Sequence, residues 1–181
     1  KTALAEAEVE YQDKKSIAIF VKFEVPNAPN LPDNTSFAIW TTTPWTLPAN
    51  LGIAVHERLT YVVGLFEKEG IPNQSIIIVR ELLEEFQEKT GLTLIEELTE
   101  VKGAELEGLD AQHPFIDRKS KVILAPFVTT EAGTGAVHIA PGHGADDYSA
   151  GMQNGLAVLS PVDDDGRFSE EVGVDELIGL H

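Results

Sequence analysis

Apolar residues recur along this chain in short runs broken by glycine, proline and acidic residues, and most of the runs are too short for helices. That rhythm predicts strands. Glu8–Tyr11 and Ser16–Phe23 read as two strands of a hairpin joined by Gln12-Asp13-Lys14-Lys15. Residues 26–35, rich in proline and asparagine, form a loop. Phe37-Ala38-Ile39-Trp40 reads as a buried strand, and Gly52–Val55, Tyr61–Phe66, Ser75–Val79 and Lys121–Leu124 continue the series. A helical period appears from Glu81 to Lys89, with Leu82, Leu83 and Phe86 on one face and Gly91 as a stop. Residues 92–120 mix short apolar runs with acidic residues, and predict irregular structure with one or two strands. A strand over 134–139 leads through a turn into a short helix over 145–153, and Asp163-Asp164-Asp165-Gly166 is a surface turn. Many short strands with two helices point to an α+β fold, mainly antiparallel, with a barrel-like core.

Two stretches depart from the strand rhythm. The first is Thr41-Thr42-Thr43-Pro44-Trp45-Thr46-Leu47-Pro48-Ala49-Asn50. Pro44 and Pro48 each fix φ and remove a backbone donor, and each pushes the preceding residue toward an extended conformation. The chain therefore leaves a strand into a stiff turn that presents several hydroxyls, each able to donate and accept. A plain strand followed by a proline-rich turn would leave the same trace. The second stretch is Gly133-Thr134-Gly135-Ala136-Val137-His138-Ile139-Ala140-Pro141-Gly142-His143-Gly144-Ala145-Asp146-Asp147-Tyr148. Strand alternation puts Thr134, Ala136 and His138 on one face, so small neighbours leave room beside the imidazole. A histidine satisfied by a backbone carbonyl is the structural alternative. Asp147 falls in the first turn of the expected helix, where a carboxylate can cap the helix and stay ionised. Beside a pocket, it can also hold an ammonium group. Asp146 is the neighbouring candidate and the one expected to face solvent.

Together these strings resemble the editing domain of isoleucyl-tRNA synthetase, the insertion usually called connective peptide 1. Valyl and leucyl enzymes carry similar strings, typically with Arg where this chain has Thr43, whereas Trp45 and His138 look like the isoleucyl version. The resemblance spans essentially the whole chain. It implies a hydrolase that removes valine wrongly esterified to the 3′ end of tRNA(Ile), with valyl-adenylate as a further substrate. It implies catalytic roles for Thr41, Thr42, Thr43, His138 and Asp147. It also implies substrate contacts for Trp45, Thr46, Asn50, His138 and Asp147: Asp147 on the α-ammonium, Thr46 and His138 limiting side-chain size, Asn50 supporting or contacting the terminal nucleotide. The domain would need no cofactor, since ATP and Mg serve the parent enzyme's synthetic site. The alternative is a non-catalytic module that binds the aminoacylated tRNA end, and a third reading is a free-standing amino-acid-binding domain.

Composition bounds these expectations. The 181 residues fit one domain, and both ends read as cut from a longer synthetase whose other domains would be partners. There is no run of apolar residues long enough to span a bilayer, so no membrane role is expected, and a cytoplasmic setting fits. With no cysteine, disulfides and cysteine zinc sites are excluded. A net charge of -17 argues against a broad grip on phosphates, so only the single-stranded end of a tRNA should be held. There is no G-x-S-x-G string, and no residue announces itself as a covalent nucleophile. His138 and His143 with Asp146 and Asp147 match no familiar metal spacing, and the Asp163–Gly166 turn lacks the later glutamate of a calcium loop.

Overall fold

The computed structural model describes residues 17–26 and 28–181. Among the described residues nine strands form one mixed sheet in the order β6-β4-β5-β2-β1-β7-β8-β3-β9. They are β1 (Ile19–Glu24), β2 (Thr35–Thr41), β3 (Gly52–Val55), β4 (Thr60–Lys68), β5 (Ile71–Val79), β6 (Thr93–Lys102), β7 (Asp110–Gln112), β8 (Lys119–Leu124) and β9 (Ala136–Ile139). Most neighbours are antiparallel, and β2–β5 and β3–β8 are parallel. Among the described residues the helices are α1 (Leu83–Thr90), α2 (Gly103–Leu106) and α3 (Ala145–Gln153), with short 3-10 turns between strands. None of the helices is long and apolar enough to cross a membrane.

In its strand pairing the sheet is open, yet it curls into the expected barrel-like core. β9, at one end of the strand order, packs beside β2 in the other half. Two hydrogen bonds tie its entry to the far strands. The Val79 amide at the end of β5 donates to the Thr134 carbonyl at 2.9 Å, and the Tyr61 hydroxyl of β4 donates to the Gly135 carbonyl at 2.6 Å. Tyr61 is fully buried and its oxygen also accepts from the His56 amide at 3.0 Å, so both of its hydrogen-bonding roles are filled.

Both faces of the sheet are packed, and the core includes Phe23, Phe37, Ile39, Phe66, Ile76, Ile77 and Ile78, all essentially without solvent exposure. Burial of each such side chain is worth about 1.5–3 kcal/mol. α1 covers one end. Its Phe86 meets Phe20 and Phe66 edge-on, with ring centroids 5.4 and 5.5 Å away. Gly91 ends the helix in the left-handed conformation (φ 68°), and its amide donates to the Gln87 carbonyl. A smaller cluster of Ala54, Ile123, Ile139 and Ala150 seats α3 against β3, β8 and β9.

The expected strands at Phe37–Trp40, Gly52–Val55, Tyr61–Phe66, Ser75–Val79 and Lys121–Leu124 are all present, several of them longer than predicted. Three features differ. Residues 92–120 are far more regular than expected, with ten-residue β6 at the sheet edge, then α2, β7 and the start of β8. β6 carries Glu96, Glu97 and Glu100, all turned to solvent, which hid its strand character. β9 starts at Ala136 rather than Thr134, because Gly135 adopts φ 76° and breaks the extended run. Of the expected first hairpin, Ile19–Glu24 is a strand, and Glu8–Tyr11 lies outside the described residues.

Candidate functional site

β2 ends at Thr41, and the chain then winds into a 3-10 helix over Pro44–Ala49, with Pro44 at its start and Pro48 inside. The turn expected here is thus helical as well as stiff, and Thr46–Ala49 are buried. The Thr43 amide donates to Thr41 Oγ1 at 3.0 Å, and the two threonine hydroxyls lie 3.3 Å apart. Two side chains from the 113–118 segment hold the helix from behind. His113 Nε2 donates to the Leu47 carbonyl at 2.9 Å, and the Arg118 guanidinium donates to the Pro48 carbonyl. His113 Nδ1 accepts from the Ile116 amide at 3.2 Å, so the ring is neutral with its proton on Nε2. Burial holds the His113 pKa down at about 4.

His138 stands on β9 opposite Ile53 of β3. Its surroundings fix its tautomer. The Asn50 amide nitrogen lies 2.9 Å from the Gly52 carbonyl, which can only accept. The second N–H of the same group faces His138 Nδ1 at 3.3 Å, so Nδ1 carries the lone pair. Nε2 therefore carries the proton and donates to Thr46 Oγ1 at 2.9 Å. The Thr46 hydroxyl in turn donates to the Thr43 carbonyl at 2.9 Å. Both ring nitrogens are engaged, and burial pushes the His138 pKa down to about 4. In this arrangement His138 has no nitrogen free to take a proton from substrate. It is a clamped, neutral wall. Thr134 does not share the face as expected: it precedes the Gly135 break, is buried, and its Oγ1 bonds locally to Ala136.

Asp147 lies in the first turn of α3, and its Oδ2 accepts from the Ala140 amide at 2.8 Å, which links the end of β9 to the helix. Asp146 is exposed, as expected, and Asp147 is half-buried. Burial raises the Asp147 pKa, against the opposing pull of the Ala140 N–H. The helix-start position alone therefore does not keep it ionised as readily as a free carboxylate, and a cation beside it would offset that cost.

A cavity of about 300 Å³ brings Thr41, Thr42, Thr43, Thr46, His138 and Asp147 to one wall system. Trp40, Val137, Ala140, His143 and Gly144 line the rest. The volume lies at the small end for a ligand site. Of the expected site residues, two stand elsewhere. Asn50 is fully buried beneath His138, which is the supporting place rather than a nucleotide contact. Trp45 is half-exposed outside the cavity, and its ring meets that of His143 edge-on at 5.3 Å. His143 was weighed from the sequence only as a metal ligand. It lines the cavity with Nε2 buried and unpartnered, and burial lowers its pKa while Asp147 opposes that shift. Among the described residues no three His, Cys, Asp or Glu side chains converge as a metal site would need. The G-H-G string was the available signal for His143. Ser120, which donates to Asn50 Oδ1, left none.

The open curled sheet is the fold of solved aminoacyl-tRNA synthetase editing domains. Residues 14–172 match the family described as leucyl-tRNA synthetase, editing domain, and the chain belongs to that family. Similar curated proteins include isoleucine–tRNA ligases. That of Sulfurihydrogenibium sp. (strain YO3AOP1) is 52% identical over 171 residues, covering 94% of this chain and 17% of the relative. That of Thermotoga maritima is 49% identical over 175 residues, covering 96% and 18%. The chain thus spans less than a fifth of the length of these relatives. Solved structures share the fold at low identity. The GlLeuRS-CP1 crystal structure superposes with a TM-score of 0.59 at 19% identity, covering 78% of this chain and 66% of that one. The Plasmodium knowlesi cytosolic leucyl-tRNA synthetase editing domain gives 0.60 at 16%, covering 74% and 62%.

Proposed function

We propose that this chain is the proofreading hydrolase domain of a cytoplasmic isoleucyl-tRNA synthetase, and that it cleaves valine from the 3′-terminal adenosine of tRNA(Ile). Valyl-adenylate is a second substrate of the same pocket. The observation that carries the reading is the small cavity itself, with a carboxylate at one side, threonine hydroxyls at the other and a clamped imidazole between them. One methylene in an apolar pocket is worth only about 1–3 kcal/mol, and the isoleucine–valine pair is itself the standard instance of that limit. A second, smaller pocket is the physical answer to it.

In this reading Asp147 binds the α-ammonium, and the substrate's charge offsets the burial that raises the carboxyl's pKa. His138 and Thr46 bound the side-chain space. Thr41, Thr42 and Thr43 orient the ester and a water molecule. The water oxygen adds to the ester carbonyl, the bond to the ribose oxygen breaks, and the water's proton ends on that ribose oxygen. The vicinal ribose hydroxyl carries the proton, because both nitrogens of His138 are engaged. An activated ester needs little beyond placement of the water. No step calls for a cofactor in this domain, ATP and Mg belonging to the parent's synthetic site. Residues 1–181 act as one domain, and the rest of the synthetase supplies the main grip on tRNA that a net charge of -17 denies this one.

The test is deacylation by the 181-residue chain. Valyl-tRNA(Ile) should be hydrolysed and isoleucyl-tRNA(Ile) spared. Binding of a non-hydrolysable valyl-adenosine analogue without turnover of the ester would instead establish the non-catalytic end-binding module.

A further inference from the structure

The hydrogen bonds that fix His138 do not end at Asn50. Asn50 Oδ1 accepts from the hydroxyl of Ser120 on β8, a strand that does not reach the cavity. The oxygen of an amide has no proton, so Ser120 is the donor. The links then run in one direction only. Ser120 donates to Asn50, Asn50 donates to His138 Nδ1, His138 Nε2 donates to Thr46, and Thr46 donates to the Thr43 carbonyl. Reversing any one link sets donor against donor or acceptor against acceptor at the next. The members come from β8, the residues before β3, β9 and the threonine turn, and each is buried except at the Thr43 end.

Resting on the hydrolase reading above, we propose that Ser120 is a positioning residue for substrate selection: acting through Asn50, whose amide the Gly52 carbonyl orients, it fixes the place of the His138 ring and so makes the size-limiting wall rigid. Two contacts set the Asn50 amide, the Ser120 donor on its oxygen and the Gly52 acceptor on its nitrogen. Without the first, the amide oxygen is buried and unpaired, while the Gly52 carbonyl still opposes any turn of the amide. The tautomer of His138 is then unchanged, but the amide that supports Nδ1 is held at one point instead of two, and the wall loosens on its Asn50 side. Ser120 never touches substrate. Its effect is on which side chain the pocket admits.

The experiment uses the 181-residue chain labelled with 15N-histidine. In the wild-type protein the His138 signals should show a single tautomer protonated at Nε2. In Ser120→Ala the Nε2–H tautomer should persist, the His138 signals should broaden as the ring loses its fixed place, and the rate of isoleucyl-tRNA deacylation relative to valyl-tRNA should rise several-fold. Ser120→Thr keeps the hydroxyl and should restore both readouts. Asn50→Asp replaces the donor to Nδ1 by an acceptor and should move the proton to Nδ1 even if Ser120→Ala folds poorly. His138 signals as sharp and unshifted in Ser120→Ala as in the wild type, or an Nε2–H tautomer that survives in Asn50→Asp, overturn the proposal, whatever the rates do. If the wild-type chain hydrolyses neither ester, the hydrolase reading falls, and the histidine spectra still decide whether Ser120 holds His138 in place.

Discussion

His138 Nε2 lies 2.9 Å from Thr46 Oγ1, so a residue on β9 and one in the 3-10 turn after β2 form one rigid surface although 92 positions separate them. Neither carries the rigidity alone. Thr46 is held by the Thr43 carbonyl, the turn by His113 and Arg118, and His138 by Asn50. A wall built this way can exclude one methylene, because yielding would break hydrogen bonds and not merely shift a side chain.

Shortening His138 to Ala should remove that exclusion. Isoleucine exceeds valine by one methylene, worth about 0.8 kcal/mol in its favour if simply buried. Rejection must therefore come from overpacking against the wall, which costs about 1–3 kcal/mol where nothing can move. The His138→Ala chain should deacylate isoleucyl-tRNA at a rate approaching that for valyl-tRNA. An unchanged ratio of the two rates would transfer the role to Thr46 or Thr43.

Replacing Asp147 by Asn should separate function from stability. The amide keeps an oxygen for the Ala140 N–H. Burial raises the Asp147 pKa, so the folded protein holds that proton more tightly than the unfolded chain. Stability from this group is thus present below the ordinary carboxylate pKa and is lost as pH rises through the raised value. At neutral pH the charged group is a cost, and Asp147→Asn should unfold at the same or higher urea concentration. Its kcat/KM for valyl-tRNA should fall about ten- to a hundredfold, the worth of one charge-assisted contact to the ammonium. Normal turnover would point to Asp146 instead.

The sequence made the site's front visible and hid its back. Thr41–Thr43, His138 and Asp147 stood out because glycine and proline strings surround them, and backbone restrictions of that kind can be read locally; Thr46 came only from the family resemblance that those strings carry. α3 was legible over its whole length, Ala145–Gln153, for the same reason. Ser120 sits in an ordinary strand, and its hydroxyl matters only because folding brings it to a residue 70 positions away. Arg118 and His113 were likewise invisible, since their partners are backbone carbonyls of the 3-10 turn. β6 escaped because an edge strand with acidic side chains facing water lacks the apolar alternation that marks an interior strand.

The buried histidines set the response to acid. His113 and His138 both have pKa values held down to about 4 by burial, against 6.5 for the free side chain. Between those values the unfolded chain binds protons that the folded protein refuses. Stability is fully present above pH 6.5 and is lost as pH falls toward 4, by at most about 1.4 kcal/mol per pH unit for each histidine. The raised Asp147 pKa works in the opposite direction at the acid end of that window and flattens the loss there. Urea unfolding at pH 7, 6 and 5 should show a falling free energy. A constant value over that range would mean that both rings accept protons in the folded state.

Gly133 and Gly135 offer a paired test of how the entry to β9 positions the wall. Both have positive φ, 89° and 76°, so alanine at either carries a backbone penalty of about 1 kcal/mol. Their surroundings differ. A Cβ at Gly133 would meet the Trp40 side chain at an ordinary 3.6 Å, whereas one at Gly135 would lie 2.4 Å from Val79 Cβ. Val79 is itself pinned by its amide's bond to Thr134, and the Gly135 carbonyl accepts from buried Tyr61. Relief of the clash must therefore break one of these bonds or move β9. Gly133→Ala should lose about 1 kcal/mol and keep its preference for valyl-tRNA. Gly135→Ala should lose about 1–3 kcal/mol more, the cost of overpacking. Because His138 lies only three residues further along the same segment, Gly135→Ala should also hydrolyse isoleucyl-tRNA faster relative to valyl-tRNA. Urea midpoints and the ratio of the two deacylation rates, measured on both variants, check this. Equal losses in the two would show that the strained backbone, and not the contact with Val79, holds the strand in place.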